Sequence, residues 1–155
     1  MRQQRWFPIA VLALSLFAVN VVARLVIRIG FHGNETAESR VSVVMFAVIG
    51  VVLATLAFVW CQRVPVGRWL PDLAGGAVGG MLLTILVGPF VSGDNPFSEG
   101  AGNFFSQVWL YGGFAIGGTV LGYWIATALG RDYRSKALRA YAEKRNTRPR
   151  RVVGR

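Results

Sequence analysis

The sequence predicts an all-α integral membrane protein with four transmembrane helices, of which the third and fourth are rich in glycine. A hydrophobic content of 54% and a mean hydropathy of +0.47 exceed what a soluble domain of 155 residues normally shows. Four long apolar stretches are separated by short polar segments. Ten of the seventeen basic residues follow Gly130. We therefore expect a membrane domain over residues 1–130 and a basic tail over 131–155.

The first apolar stretch predicts a helix over residues 6–29. Arg2 and Arg5 precede it, and small residues close its apolar run, which is also the pattern of a secretory signal peptide. However, the run of about eighteen residues is longer than the apolar region of most signal peptides, and Arg24 directly follows the only cleavage-like position. We interpret the stretch as an uncleaved transmembrane helix, with a cleaved signal peptide as the alternative.

A polar stripe marks the far end of this helix. Asn20, Arg24 and Arg28 follow one another at intervals of four residues and so share one face. An arginine at the bilayer centre costs about 2.5–3.5 kcal/mol, but near the edge the side chain can reach water. The stripe is expected to mark the outer membrane boundary. The alternative is an outer vestibule that attracts anions.

Residues 41–60 form the clearest predicted span, since twenty residues without a charge match a hydrocarbon core of about 30 Å. The preceding loop contains His32, but without a second histidine we expect no metal site. Cys61 ends the helix, and a lone thiol there is expected to be inert rather than reactive or lipidated. Residues 62–72 contain two prolines and are expected to form a loop.

The third and fourth helices are predicted over residues 73–91 and 104–130. Each contains two pairs of glycines spaced four residues apart: Gly75, Gly76, Gly79 and Gly80 in the third, and Gly113, Gly117, Gly118 and Gly122 in the fourth. This spacing exposes bare backbone on one side of a helix and favours close helix packing. We predict that the two glycine faces pack against each other. The alternative is that glycine is simply common in membrane helices.

Residues 46–63 and 114–131 align without gaps, with six identical positions that include Gly50 with Gly118. This likeness indicates either an internal duplication or a chance match within the few residue types of membrane helices. The first and third helices match poorly at the same offset, which favours chance.

Basic residues predict the orientation. Arg2 and Arg5, Arg63 and Arg68, and the start of the tail all fall on one side of the four crossings. The positive-inside rule therefore places both termini in the cytoplasm, and the arginine-rich composition favours the plasma (inner) membrane of a bacterium. Arg24 and Arg28 run against this rule.

The tail is expected to form a short amphipathic helix, followed by a disordered segment beyond Asn146. Its expected contact residues are Arg131, Arg134, Lys136, Arg139, Lys144 and Arg145. A cationic residue close to an anionic membrane surface gains about 1 kcal/mol. The expected partners are anionic lipids of the cytoplasmic leaflet or an acidic protein. Nucleic acid is the least favoured.

The functional prediction depends largely on which motifs the sequence lacks. The sequence contains no H-E-x-x-H, no phosphate-binding glycine loop and no C-x-x-C, and the predicted spans contain no Asp or Glu. We therefore expect neither an enzyme nor a cofactor. The favoured hypothesis is an accessory or scaffold subunit that associates with other membrane subunits or with itself. The alternative is a small channel or transporter whose outer vestibule is lined by Asn20, Arg24 and Arg28.

Overall fold

The computed structural model describes residues 6–30, 35–92 and 100–147, with side chains for 6–30, 39–90 and 100–145. These ranges are almost entirely helical and contain no strand, which confirms the predicted all-α class. The elements are α1 (Trp6–Gly30), α2 (Glu35–Cys61), α3 (Val66–Leu82), a π segment (Leu83–Val87), α4 (Gly88–Ser92), α5 (Ala101–Ala128) and α6 (Tyr133–Thr147).

Four helical stretches of the described chain are long and apolar enough to cross a membrane, as the sequence predicts. They are Trp6–Gly30, Ser39–Cys61, Val66–Phe90 and a stretch that begins at Ala101. At a rise of about 1.5 Å per residue, the 28 residues of α5 already reach about 42 Å, so α5 alone can cross the bilayer. We therefore treat α6 as lying outside the span.

The boundaries of the third helix differ most from the prediction. α3 begins at Val66 rather than at residue 73, because the two prolines that suggested a loop are accommodated near its start. Pro65 precedes the first helical residue with an extended backbone. Pro71 lies in the second turn, where it removes only the hydrogen bond to the carbonyl of the exposed Gly67. α2 also begins before the predicted residue 41, and α5 occupies 101–128 rather than 104–130.

The turn between α5 and α6 is capped on both sides. Gly130 has a φ of +59°, and its N–H donates to the Thr127 carbonyl at 2.9 Å, while the Arg131 N–H donates to the Ala126 carbonyl at 3.0 Å. This pair of bonds is the Schellman motif that commonly ends a helix. Asp132 then begins α6, since its Oδ2 accepts a hydrogen bond from the Ser135 N–H at 3.2 Å. Two caps in succession define the direction in which α6 leaves α5.

The predicted amphipathic character of α6 is not observed. At 100° per residue, Arg134 and Arg145 project among the apolar residues of the helix instead of opposite to them. Leu138 and Tyr141 are 62% and 69% exposed. α6 is therefore a mixed, exposed basic helix rather than a two-faced one. Residues 148–155, which include the end of the tail predicted to be disordered, lie outside the described residues.

The membrane domain consists of two helix pairs. α2 packs most extensively against α5, and α1 packs against α3 and the π segment. Between the pairs lies an apolar core whose fully buried members include Leu16, Ile49, Leu53, Leu73 and Tyr111. α3 and α5 touch each other only lightly. The two glycine-rich helices thus belong to different pairs, contrary to the prediction that they pack together.

Candidate functional site

Backbone-to-backbone packing joins α5 to α2. A Cβ added at Gly118 would overlap the backbone carbonyl of Gly50 and lie 2.9 Å from its Cα, and a Cβ at Gly122 would meet Ala54 in the same way. Gly118 and Gly122 therefore serve close packing, but their partner is α2 and not α3. The spacing of Gly50 and Ala54, also four residues, is the signal in the sequence that indicates this partner.

The α2/α5 contacts join equivalent positions of the two similar stretches noted in the sequence. Gly50 lies against Gly118 and Ala54 lies against Gly122, so the two helices run parallel and in register. The likeness of the stretches thus has a physical reason, since each helix must present small residues to the other. Whether it also reflects a duplication stays a prediction.

The glycines of α3 face α1. Added Cβ atoms would overlap the Leu12 side chain at Gly76, and lie 3.2 Å from the Ala13 Cβ at Gly79 and 3.5 Å from the Ile9 Cγ2 at Gly75. At Gly80 the added Cβ would lie 3.0 Å from the Leu16 Cβ and 2.8 Å from the Tyr111 hydroxyl. An added Cβ at Gly80 would thus contact α5 as well as α1.

The two remaining glycines of the predicted set, Gly113 and Gly117, have no atom within 4 Å of an added Cβ. They line an open apolar groove of about 470 Å³ between α2 and α5, together with Val51, Trp109 and Leu121. These two glycines therefore pack against none of the described helices, which corrects the role predicted for them.

A buried polar cluster lies between α1 and the π segment, well inside the span. Asn20 is 1% exposed, although its position is about 21 Å along α1 from Trp6. Its Nδ2 donates to the Thr84 carbonyl at 3.5 Å, and Arg24 Nε donates to Asn20 Oδ1 at 3.3 Å. Arg24 thereby orients the amide so that its NH₂ group points at the π segment.

The π segment explains why an amide is needed there. The Gly88 N–H donates to the Leu83 carbonyl, five residues earlier, and is therefore not available to the Thr84 carbonyl. The next donor in this register would be Pro89, which has no N–H. Because a bare carbonyl is costly in hydrocarbon, Asn20 supplies the hydrogen bond that the backbone lacks.

Gly88 makes room for this contact. A Cβ at Gly88 would lie 2.6 Å from Asn20 Nδ2 and 3.1 Å from Arg24 Nε. Two further polar groups nearby, the hydroxyls of Thr84 and Tyr111, are buried without a hydrogen-bond partner within the described structure. Arg28, the third residue of the predicted stripe, is exposed at the end of α1. Among the described residues, the cluster combines uncharged polar groups with the Arg24 guanidinium.

Basic residues gather at the opposite end of the domain, around the α2–α3 and α5–α6 turns. We call this region the basic end and define it by five exposed cations: Arg63, Arg68, Arg131, Arg134 and Lys136. Lys136 Nζ donates to the Gln62 carbonyl at 3.5 Å and so ties the first turn of α6 to the end of α2. Of the other predicted contact residues, Arg139 approaches Gly130, whereas Lys144 and Arg145 lie further along α6.

Two potentially reactive groups at this end are buried. Asp132, beyond the membrane-spanning part of α5, is 7% exposed, and hydrogen bonds from Ser135 hold the pKa of its carboxyl below the ordinary value. The Cys61 thiol is buried and donates to the Phe58 carbonyl at 3.3 Å. Among the described residues, no group of three or more His, Cys, Asp or Glu side chains is placed to hold a metal ion.

Comparison with known proteins gives no match: no family model, no curated protein and no solved structure is similar to the chain.

Proposed function

We propose that this chain is a non-enzymatic accessory or scaffold subunit of a larger membrane complex, with its basic end in the cytoplasm of a bacterial cell. The observation that carries the proposal is the exposure of α6. α6 is a fifteen-residue helix that leaves the membrane domain in a defined direction and whose described side chains are almost all exposed.

An exposed helix of this length needs outside support. Isolated helices shorter than about 12–15 residues are marginal in water. The first half of α6 is joined to the membrane domain by the Asp132 cap, by Lys136 at the α2 end and by Arg139 near Gly130.

Beyond Lys136, α6 exposes Leu138 and Tyr141 among Lys144 and Arg145. Apolar groups among cations favour a partner surface that is acidic and partly apolar.

The membrane domain offers a second association surface. In the groove between α2 and α5, Gly113 and Gly117 expose backbone toward the membrane. A transmembrane helix of another subunit could approach more closely there than at a surface covered by large side chains. This feature supports the scaffold proposal.

Co-purification tests the proposal. Tagged full-length chain and a variant truncated after Ala140 are extracted from native membranes in mild detergent, and the associated proteins are quantified by mass spectrometry. We expect one stoichiometric membrane complex with the full chain and at least a several-fold loss with the truncated variant. Loss should increase at high salt, because exposed charges are screened. Leu14→Ala, on the exposed face of α1, serves as the control that retains the complex.

Full retention of the complex by the truncated variant would contradict the role of α6. Isolation of the full chain alone, from membranes extracted under several mild conditions, would contradict the subunit function itself.

A channel or transporter is the second candidate, and the π segment of the third span favours it. The π segment widens one turn of a continuous helix beside the buried cluster of Asn20 and Arg24, and such segments frequently lie at functional sites. Purified chain in liposomes tests this function directly. Anion flux that Arg24→Ala abolishes would replace the scaffold function by transport.

A further inference from the structure

We propose that the basic end contains a defined binding site for the phosphate headgroup of an anionic phospholipid, formed jointly by the α2–α3 turn and the first turns of α6. The inference goes beyond the proposed subunit function, because a lipid site needs no protein partner and can be tested on the purified chain.

Packing of α2 against α5 brings the two turns together. The helices are parallel and in register at Gly50 with Gly118, so the ends of α2 and α5, followed in the chain by Arg63 and Arg131, lie on the same side of the domain. Lys136 reaches across from α6 to the Gln62 carbonyl. The cations of the two turns therefore belong to one ordered surface rather than to a loose tail.

The exposed cations at this end outnumber the carboxylates. Asp132 is nearly buried, and its Oδ2 accepts the hydrogen bond that begins α6. Asp72 is half-buried on α3, and Glu143 lies in the distal part of α6. The five exposed cations of the basic end thus lie in or beside two connections, the α2–α3 turn and the α5–α6 turn.

The start of α3 adds a second attraction for an anion. The helix begins after Pro65 without a side-chain cap, so the first backbone N–H groups of α3 receive no hydrogen bond acceptor from a capping side chain. The N-terminal end of a helix carries partial positive charge and accommodates phosphate groups. Arg63 and Arg68 flank this helix start in the sequence.

The level of the site selects a lipid as the occupant. It lies where three spanning helices begin or end, which is the depth of lipid phosphates. Trp124, which is 65% exposed, lies on the last turns of α5 near the same end, and tryptophan is enriched at the headgroup level. Each cation near the surface favours an anionic lipid over a neutral one.

The experiment measures lipid preference with matched charge variants. Full-length chain in mixed micelles is titrated with phosphatidylglycerol or with phosphatidylcholine, and bound lipid is counted by native mass spectrometry alongside the thermal unfolding midpoint. We expect preferential binding of phosphatidylglycerol and a higher midpoint. Arg131→Gln/Lys136→Gln should weaken this binding about tenfold. Lys144→Gln/Arg145→Gln, which removes the same charge from distal α6, should weaken it less than threefold.

A second pair of substitutions within the basic end, which we call proximal in contrast to the distal α6 pair, keeps the test valid if Arg131→Gln/Lys136→Gln folds poorly. Arg63→Gln/Arg68→Gln alters the other turn and should give a comparable loss. Equal weakening by the proximal and distal pairs would show diffuse attraction by net charge and overturn the site. Equal binding of both lipids would also overturn it. Either failure leaves the co-purification result unaffected, so it is distinguishable from failure of the proposed subunit function.

Discussion

The two helix pairs of the membrane domain use glycine at the same four-residue spacing, but against different neighbours. In the α2/α5 pair, Gly118 and Gly122 lie against backbone atoms of Gly50 and Ala54. In the α1/α3 pair, the glycines of α3 lie against side chains, including those of Leu12 and Ala13. The spacing therefore describes only half of an interface. The atoms on the facing helix decide whether glycine is required.

This difference has an energetic consequence. The outer atoms of a side chain such as Leu12 can change rotamer to accept a new methyl group. A backbone carbonyl, like a Cβ, can move only with its helix, and the overlaps at Gly118 and Gly122 are with backbone atoms. Substitutions in the α2/α5 pair should therefore cost more than the corresponding ones in the α1/α3 pair. The following substitutions test this ranking.

The largest effect is expected for Gly118→Ala. Its Cβ would overlap the Gly50 carbonyl, so α2 and α5 must separate, at a cost of about 3 kcal/mol, the upper part of the range for overpacking. Unfolding in mixed detergent micelles measures the change. Gly117→Ala is the matched control, because its Cβ meets nothing within 4 Å and alanine is the better helix former. Similar losses for both variants would show that the two helices are not held by backbone contact.

An intermediate effect is expected within the α1/α3 pair. Gly80→Ala brings a Cβ to 3.0 Å from the Leu16 Cβ and 2.8 Å from the Tyr111 hydroxyl, which must both shift, so we expect a loss of about 1–2 kcal/mol. Gly79→Ala, facing the Ala13 Cβ at 3.2 Å, should change the unfolding free energy by less than about 1 kcal/mol. The same unfolding assay compares the two. A larger loss for Gly79→Ala would reverse the assignment of which face of α3 is tight.

The number of spans could be predicted from the sequence, but their pairing could not. A charge-free run such as 41–60 identifies a span because its length alone matches the bilayer. The partner of Gly118 depends on Gly50 and Ala54, which lie more than sixty residues away and whose spacing is unremarkable among membrane helices. The prolines at 65 and 71 concealed the start of α3, because a proline is compatible with helix starts as well as with loops.

The buried polar cluster could likewise be predicted only in part, because it depends on a contact between two helices that are distant in the sequence. The four-residue spacing places Asn20 and Arg24 on one face, but the need for an amide arises only where Pro89 leaves the Thr84 carbonyl without a backbone donor. That link joins α1 to the third span and cannot be seen within either helix alone. A Gly-Pro pair late in a span, opposite a lone Asn, is the signal to look for.

A smaller effect is expected for Asn20→Leu. Loss of the amide leaves the Thr84 carbonyl without its donor, at a cost of about 1 kcal/mol given the 3.5 Å contact. Pro89→Ala provides a test of the cause, because it restores an N–H near that carbonyl. The double variant should lose less than the sum of the single variants in a double-mutant cycle. Strict additivity would mean that Asn20 acts on the fold by some other contact.

The smallest effect on the helix pairs is expected at Asp132, which caps α6 beyond the end of α5. Asp132→Ala should destabilise the α6 start by about 1 kcal/mol and leave the α2/α5 pair intact, because the cap bonds groups in the first turn of α6, chiefly Ser135. Hydrogen exchange at the Ser135 amide, compared with amides inside α5, separates these two regions. Faster exchange in both would show that the tail supports the pair.

The lowered pKa of Asp132 determines the direction in which the stability of the α6 start changes with pH. The folded pKa of Asp132 is lowered from the ordinary value of 3.8, so its ionised form stabilises α6 above that pH and the stabilisation disappears as pH falls through the lower folded value. The protection of Ser135 in the unaltered chain should therefore fall toward that of Asp132→Ala below about pH 3.8. Asp132→Asn keeps a capping oxygen but cannot titrate through this range, so its protection should stay constant. If the Ser135 protection of Asp132→Asn also depended on pH, the titrating group would be another one, and the Asp132 carboxylate would not be the cap that stabilises α6.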